Sequence, residues 1–176
     1  MNLASVSFLL ALPLVAADPW QAPHTQWTNE DARQVLMSSP WAKPAGLSKA
    51  IVRWESARTV QLAKDKLTRN LASAVCSSCY AIAVVGIELP PGAAKPEAWL
   101  KATGRGAIGS SEVRIQDGAV VFLFPRSEEV EEPIVFRLPA GLKIGNNVVF
   151  NGMIGGHKVR TKFSLKSMRY RGKLDL

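Results

Sequence analysis

Two cysteines stand three positions apart, at Cys76 and Cys79, and this C-x-x-C spacing is compatible with three kinds of chemistry. A redox pair needs an exposed thiol of lowered pKa, which the start of a helix supplies, whereas a helix predicted over residues 56–74 ends just before the motif. Haem attachment needs a histidine after the second cysteine, where this sequence has tyrosine. Zinc needs two more ligands, which the remote His24 and His157 would have to supply. The motif therefore predicts a local disulfide between Cys76 and Cys79, or two unreactive thiols.

A glycine-rich segment, Gly104 to Gly109, matches the G-x-G-x-x-G pattern of dinucleotide-binding proteins. In those proteins the glycines follow a strand and open a helix, whose amino terminus holds the pyrophosphate. Here a short helix, opened by proline over residues 96–100, is predicted before the glycines, and a strand over residues 113–116 is predicted after them. The segment is therefore interpreted as a turn, and no nucleotide or other cofactor is expected.

No recognisable catalytic pattern is present in the sequence. It contains neither G-x-S-x-G nor H-E-x-x-H, and its two histidines lie in a proline-rich arm and after a Gly-Gly turn, where surface positions are expected. Neither a catalytic residue nor a metal site is therefore predicted. Two distant carboxylates can still meet in a folded protein. A secreted enzyme that uses such a pair, or Cys76 and Cys79, remains the alternative hypothesis.

Positive charge is concentrated at the carboxy-terminal end. The chain of 176 residues has 22 Lys and Arg against 14 Asp and Glu, and residues 157–176 alone hold seven basic residues against one acidic residue. In an alternating strand the side chains at every second position share one face, about 7 Å apart. The predicted anion-binding residues are Lys158, Arg160, Lys162, Lys166, Arg169 and Arg171. The alternative interpretation is an ordinary solvated face, or lysines that protect an edge strand from aggregation.

Residues 1–17 have the pattern of a cleavable signal peptide. They contain no charged side chain, are mostly apolar from Leu3 to Val15, and end in the small residues Ala16 and Ala17. Cleavage after Ala17 is predicted, and the protein is expected to be secreted or periplasmic. No later apolar stretch is long enough to form a transmembrane anchor. The expected partners are anionic envelope lipid, acidic polysaccharide or another protein, ahead of nucleic acid.

The rest of the sequence predicts the helices and strands that position the cysteines and the basic residues. A tryptophan- and proline-rich arm, residues 18–46, holds a short helix capped by Thr28, and its tryptophans are interpreted as anchors to the domain core. Residues 47–176 form a single domain. It begins with a strand over residues 50–56, with Arg53 and Glu55 on its polar side, and a helix that Ser56 caps.

The second half of the domain is predicted to consist of short strands. A buried strand is predicted over residues 80–89, and further strands are predicted over residues 113–116, 119–124, 134–138, 148–154 and 158–165. Because glycine and proline turns separate most of them without helices, an antiparallel meander is expected. The predicted fold class is α+β: an antiparallel sheet with one main amphipathic helix on one face, and short N-terminal helices.

Several segments together resemble an uncharacterised family of exported bacterial proteins. These segments are W-T-N-E-D at residues 27–31, S-P-W-A-K at 39–43, V-R-W-E-S-A-R at 52–58, F-S-L-K at 163–166 and M-R-Y-R-G-K-L-D-L at 168–176. The resemblance implies a secreted bacterial protein of unknown function. It implies no activity and no site residues, and the two cysteines lie outside the shared pattern.

Overall fold

The computed structural model describes residues 18–46, 49–68, 79–102, 107–116, 118–125 and 147–176. The fold is α+β with antiparallel sheets, as the sequence predicts. Short 3-10 helices at Pro19–Gln21 and His24–Gln26 precede the main elements. The helices and strands that follow are α1 (Asn29–Met37), β1 (Ala42–Pro44), β2 (Ile51–Trp54), α2 (Arg58–Thr68), β3 (Cys79–Val85), β4 (Glu97–Ala102), β5 (Ala107–Gly109), β6 (Glu112–Gln116), β7 (Ala119–Pro125), β8 (Asn147–Ile154), β9 (His157–Ser164), β10 (Arg169–Tyr170) and β11 (Lys173–Leu174).

The strands form two larger sheets that share one hydrophobic core. Sheet A has the order β1-β2-β3-β7-β6 and sheet B the order β5-β4-β8-β9, while β10 and β11 form a two-stranded ribbon. The ring centroids of Trp54 in β2 and Phe163 in β9 are 5.5 Å apart, and those of Phe122 in β7 and Phe150 in β8 are 5.6 Å apart. The predicted meander is therefore divided between two layers. Each sheet has one apolar face, and the two sheets bury these faces against each other.

Helix α1 begins with the predicted cap. The Asp31 N–H donates to Thr28 Oγ1 at 3.1 Å, and the Thr28 N–H donates to Asp31 Oδ2 at 2.7 Å, which completes a capping box. These hydrogen bonds hold the pKa of Asp31 below its usual range. Ala32 and Val35 are fully buried on one side of the helix. The local sequence pattern is therefore sufficient to place this helix.

The predicted helix over residues 96–100 is wrong, because the segment belongs to strand β4. Its side chains alternate, with Ala98, Leu100 and Ala102 buried and the residues between them exposed. β4 pairs with β8 on one side and β5 on the other. Those hydrogen bonds outweigh the local preference of proline for a first helical turn. The glycine motif thus follows a strand, and its last residues lie in strand β5 rather than at the start of a helix.

Several predictions fall wholly or partly beyond the described residues. The signal peptide over residues 1–17 and the strand over residues 134–138 lie outside them. So do residues 104–106 of the glycine-rich turn and the part of the predicted helix after residue 68. The hairpins are confirmed where they are described: β6 pairs with β7, and β8 pairs with β9 across the turn at Gly155 and Gly156. Both turn glycines have positive φ, at 54° and 83°, a conformation that glycine adopts without steric cost.

The first turn of helix α2 is capped by Asp175, near the carboxy terminus, and not by Ser56 as the sequence predicts. The Ser56 hydroxyl instead accepts a hydrogen bond from the Ala81 N–H at 3.1 Å. Asp175 occupies the capping position, since the N–H groups of Arg58 and Thr59 each donate to its carboxylate at 2.8 Å. The Asp175 backbone carbonyl also accepts from Trp41 Nε1 at 2.7 Å. A single residue near the carboxy terminus therefore joins the N-terminal arm to helix α2.

The tryptophans of the arm are anchors, as predicted. Trp20, Trp27 and Trp41 are at most 6% exposed and belong to the same core as both sheets. Trp27 also makes an edge contact with Tyr170 in β10, with ring centroids 6.0 Å apart. Burial of these large rings stabilises the docking of the arm onto the domain.

Replacing Asp175 with alanine is expected to lower the free energy of unfolding by about 2 kcal/mol, the upper range for loss of a helix cap. The variant leaves two backbone donors of helix α2 without their acceptor. Urea denaturation followed by circular dichroism measures the loss. Asp175→Asn, which keeps one acceptor oxygen, should lose less. A cost for Asp175→Ala no larger than that of an exposed control, Glu30→Ala, would show that Asp175 does not hold the helix.

Candidate anion-binding face

Strand β9 presents its basic residues as the sequence predicts. Lys158, Arg160 and Lys162 are exposed, and the intervening Val159, Thr161 and Phe163 point into the core. β9 is the edge strand of sheet B, so these cations lie at the border of that sheet. The outer face of sheet B is therefore charged along one edge, while its inner face completes the hydrophobic core.

The strand register shows which residues lie beside these cations. In strand β8, Val149 pairs with Lys162 of β9 on one side and with Lys101 of β4 on the other. Lys101 therefore lies on the same face of sheet B as the cations of β9. We name the four basic residues Lys101, Lys158, Arg160 and Lys162 the basic face. Glu97 is the acidic residue of β4 on this side, opposite Met153. Positive charge therefore dominates this surface.

None of the four cations has an ion-pair partner among the described residues. Ion pairs elsewhere in the described part of the chain join Arg33 to Glu30, Arg53 to Glu55, Lys64 to Glu55 and Arg114 to Glu112. The charges of the basic face are thus not used to hold this part of the fold together. They remain available to a ligand, and together they produce a positive potential over the sheet.

Trp99 is a residue of this face that the sequence analysis missed. It is 39% exposed, whereas the other four tryptophans are at most 6% exposed. Trp99 lies on the outer side of β4, opposite Asn151 of β8 and Gly109 of β5. The incorrect helix prediction concealed it, although the alternation of apolar and polar residues from Glu97 to Ala102 was a signal that could have revealed it.

A shallow cleft of about 340 Å³ adjoins Trp99 where β4 and β5 meet the start of β6. Its lining includes two carboxylates, Glu97 and Glu112, and the hydroxyls of Ser110 and Ser111. Arg114 Nε donates to Glu112 at 2.6 Å, and this hydrogen bond holds the pKa of Glu112 below its usual range. Glu112 is therefore ionised at neutral pH and suited to accept hydrogen bonds rather than to donate a proton.

The other predicted anion-binding residues do not join the basic face. Lys166 is exposed in the turn after β9. Arg169 is half-buried, and its Nη1 donates to the Gly172 carbonyl at 2.6 Å. Arg171 lies in the turn of the β10–β11 ribbon, at a positive φ of 50°, and borders a separate cleft of about 550 Å³. Of the six predicted residues, only Lys158, Arg160 and Lys162 therefore lie on the basic face, because alternation along one strand does not extend through the following turn.

Among the described residues, Cys79 and the two histidines show no arrangement typical of catalysis. Cys79 is buried at the start of β3 and is disulfide-bonded, while Cys76 lies outside the described residues. His24 Nδ1 is 3.3 Å from the Tyr170 hydroxyl, and His157 is exposed at the start of β9. Within the described part of the chain, no group of three or more metal-ligating side chains comes together.

No family model, curated protein or solved structure matches this chain. The resemblance to a family of exported bacterial proteins therefore stays a prediction. Three of the segments that carry this resemblance meet in the fold, where Asp175 contacts Trp41 and Arg58. Among the helices that the structure describes, none has the length and apolar character needed to cross a bilayer.

Proposed function

We propose that the protein is an exported interaction module, without catalytic activity, that docks onto anionic material of the cell envelope. The observation that supports this function best is the basic face, where Lys158, Arg160 and Lys162 on β9 and Lys101 on β4 lie on one face of an open sheet, with only β8 between the two strands. Cations on a fixed scaffold attract a polyanion over a long range, and the strands that carry them need no ordering when it binds. Because a signal peptide is predicted over residues 1–17, we expect this surface to lie outside the cytoplasm.

Electrostatic attraction also determines how the binding responds to salt. Each basic side chain close to an anionic surface contributes about 1 kcal/mol. Because exposed charges are screened within about 10 Å at 0.1 M salt, binding should weaken steeply as the salt concentration rises.

Replacing Lys158, Arg160 and Lys162 together with glutamine should weaken binding about 100-fold at low salt, since about 3 kcal/mol of attraction is lost. The three side chains are exposed and make no ion pair within the described residues, so the fold should be retained. Sedimentation with phosphatidylglycerol vesicles and binding to immobilised polygalacturonate measure the effect, and the circular dichroism spectrum checks the fold.

The matched control replaces three exposed cations elsewhere, Arg33, Lys49 and Lys66, with glutamine. Both triple variants change the net charge equally, so a selective loss in the β9 variant assigns binding to the basic face. Equal losses in the two variants, or no binding by the original protein at low salt, would contradict the proposed function.

The alternative is a secreted enzyme, and one observation favours it: Glu97, Glu112 and Trp99 border the same cleft. Glycoside hydrolysis by two carboxylates needs one carboxyl of raised pKa as the acid and a second, ionised carboxylate, and the lowered pKa of Glu112 fits only the ionised role. A disulfide-bonded Cys79 is likewise no thiolate nucleophile. Assay of reducing ends in the polygalacturonate incubations separates the two functions. Binding without cleavage supports the module, and cleavage supports the enzyme.

A further inference from the structure

We infer that the ligand of the basic face is an acidic polysaccharide and that Trp99 is its stacking platform. This inference rests on the proposed function, because it names the class of anion that the same surface binds. It depends on one row of residues across sheet B. In this row Trp99 on β4 is opposite Asn151 on β8, which in turn is opposite Arg160 on β9.

The indole of Trp99 lies along the sheet. A Cβ atom at Gly109 would be 3.8 Å from both Cδ1 and Nε1 of Trp99, so the pyrrole edge of the ring passes over this glycine on the neighbouring strand. Trp99 Nε1 has no hydrogen-bond partner among the described residues, and 39% of the residue is exposed. An aromatic surface in this position can stack against the C–H face of a sugar ring.

The other two residues of the row complete the recognition of a charged sugar. Adjacent strands are about 4.8 Å apart, so Arg160 stands about 10 Å from Trp99, a distance comparable to the length of a disaccharide. A guanidinium binds a carboxylate or sulfate in a bidentate geometry. The amide of Asn151, between the two, can donate to and accept from hydroxyl groups. The indole therefore matches the sugar ring, the amide matches its hydroxyl groups, and the guanidinium matches its acid group.

The surroundings of the row favour a polysaccharide over a lipid surface. Lys158 and Lys162 flank Arg160 at about 7 Å on either side and can contact further acid groups of a long chain. Beyond Trp99 the surface continues into the cleft, where the hydroxyls of Ser110 and Ser111 are polar partners for sugar rather than for acyl chains. The carboxylates of Glu97 and Glu112 in the same cleft repel acid groups, so the charged groups of the polysaccharide belong on the Arg160 side of the row. A bilayer would be contacted best by an aromatic ring that projects from the surface, whereas the Trp99 indole leans across the sheet.

The test compares Trp99→Ala with the original protein on two probes, polygalacturonate and phosphatidylglycerol vesicles. We expect Trp99→Ala to weaken binding to polygalacturonate about tenfold, the effect of losing one aromatic stacking contact. Binding to vesicles should change by less than about twofold, because the cations that produce it remain. Trp99→Tyr keeps an aromatic ring and should recover most of the polysaccharide affinity. The control Ile115→Ala removes another exposed large apolar side chain, on β6, and should change neither.

Tryptophan fluorescence provides a second readout, because Trp99 is the exposed one of the five tryptophans. Polygalacturonate should change the emission of the original protein and of Ile115→Ala, and this change should vanish in Trp99→Tyr although the variant still binds. Neutral dextran should produce no such change, since it offers no acid group to Arg160.

The outcomes separate this inference from the proposed function. If Trp99→Ala binds polygalacturonate as well as the original protein while the glutamine triple variant at Lys158, Arg160 and Lys162 does not, the basic face is supported and the stacking role of Trp99 is overturned. Binding to vesicles but not to polygalacturonate also overturns the polysaccharide inference and leaves the proposed function standing. Binding that survives in the triple variant overturns both.

Discussion

Replacing Phe150 with alanine should lower the free energy of unfolding by about 4 kcal/mol, the effect expected when a large buried ring is removed and leaves a cavity. Phe150 is fully buried on the inner side of β8. Its ring contacts two aromatic rings of sheet A, with centroids 5.6 Å from Phe122 and 6.4 Å from Phe124. The side chain thus fills the space between the sheets, and its loss weakens the packing of one layer on the other.

The close fit around Phe150 limits how far the structure can relax after the change. A Cβ atom at Gly152 would lie 3.1 Å from Cε1 and Cζ of Phe150, so the ring is packed directly against this glycine. A cavity that cannot collapse has the larger energetic cost. Guanidinium denaturation, followed by tryptophan fluorescence, measures the free energy of unfolding.

Two variants serve as references for this measurement. Phe150→Leu should lose less stability, because it retains much of the buried volume. Val149→Ala changes the neighbouring residue, which is on the outer side of the same strand, and should cost about 1 kcal/mol or less. A cost for Phe150→Ala no greater than that for Val149→Ala would contradict a core shared by the two sheets.

Replacing Glu55 with glutamine should lower the free energy of unfolding by about 3 kcal/mol at neutral pH, as expected when one partner of a buried charge pair is removed. The sequence pattern places Glu55 on the polar side of its strand, yet the side chain is only 4% exposed. Arg53 Nε donates to Glu55 Oε2 at 2.7 Å, and the Lys64 ammonium donates to Oε1. The carboxylate therefore ties helix α2 to strand β2, and glutamine would leave both cations without a counter-charge.

The pH dependence of stability follows from the pKa of Glu55. Burial alone raises this pKa, but Arg53 and then Lys64 outweigh burial and hold it below the ordinary value of 4.5. A carboxyl whose pKa is lower in the folded than in the unfolded state stabilises the fold fully above the ordinary value, and this contribution is lost as the pH falls below it. The stability difference between the original protein and Glu55→Gln should therefore be largest at pH 7 and should shrink towards pH 3.

Urea midpoints measured at several pH values between 3 and 7 test this expectation. The matched control is Glu30→Gln, which removes a carboxylate from an ion pair with Arg33 in which both side chains are largely exposed. Such surface pairs contribute about 0.5 kcal/mol or less. The loss of stability in Glu55→Gln could be independent of pH, or as small as the loss in Glu30→Gln. Either result would be inconsistent with a buried ionised carboxylate at Glu55.

Local sequence patterns predicted the elements whose interactions are made within a few residues. The cap of helix α1 joins Thr28 to Asp31, and the two glycines at 155 and 156 turn one strand into the next. The alternation in β9 showed which side chains are exposed, since successive residues of a strand point to opposite faces. The α+β class and the exposed cations Lys158, Arg160 and Lys162 follow from these short-range rules.

Pairings between distant segments could not be predicted in this way. Segment 96–100 has a proline at its start, which favours a helix locally, but the backbone hydrogen bonds of β8 and β5 make it a strand. Asp175 caps helix α2 from 116 residues away in the sequence. Glu55 is buried because a helix that follows in the chain folds back over it. In each of these cases the deciding interaction depends on the packing of separate elements.

The sequence by itself determined that this protein is a basic α+β domain with a half-buried cationic strand near its carboxy terminus. The tertiary structure alone decided what stands beside that strand. Trp99, Asn151 and Arg160 form one row because β4, β8 and β9 are neighbours in register. The physical reason is that strand register is determined by burial of apolar faces between two sheets, and burial depends on the whole fold.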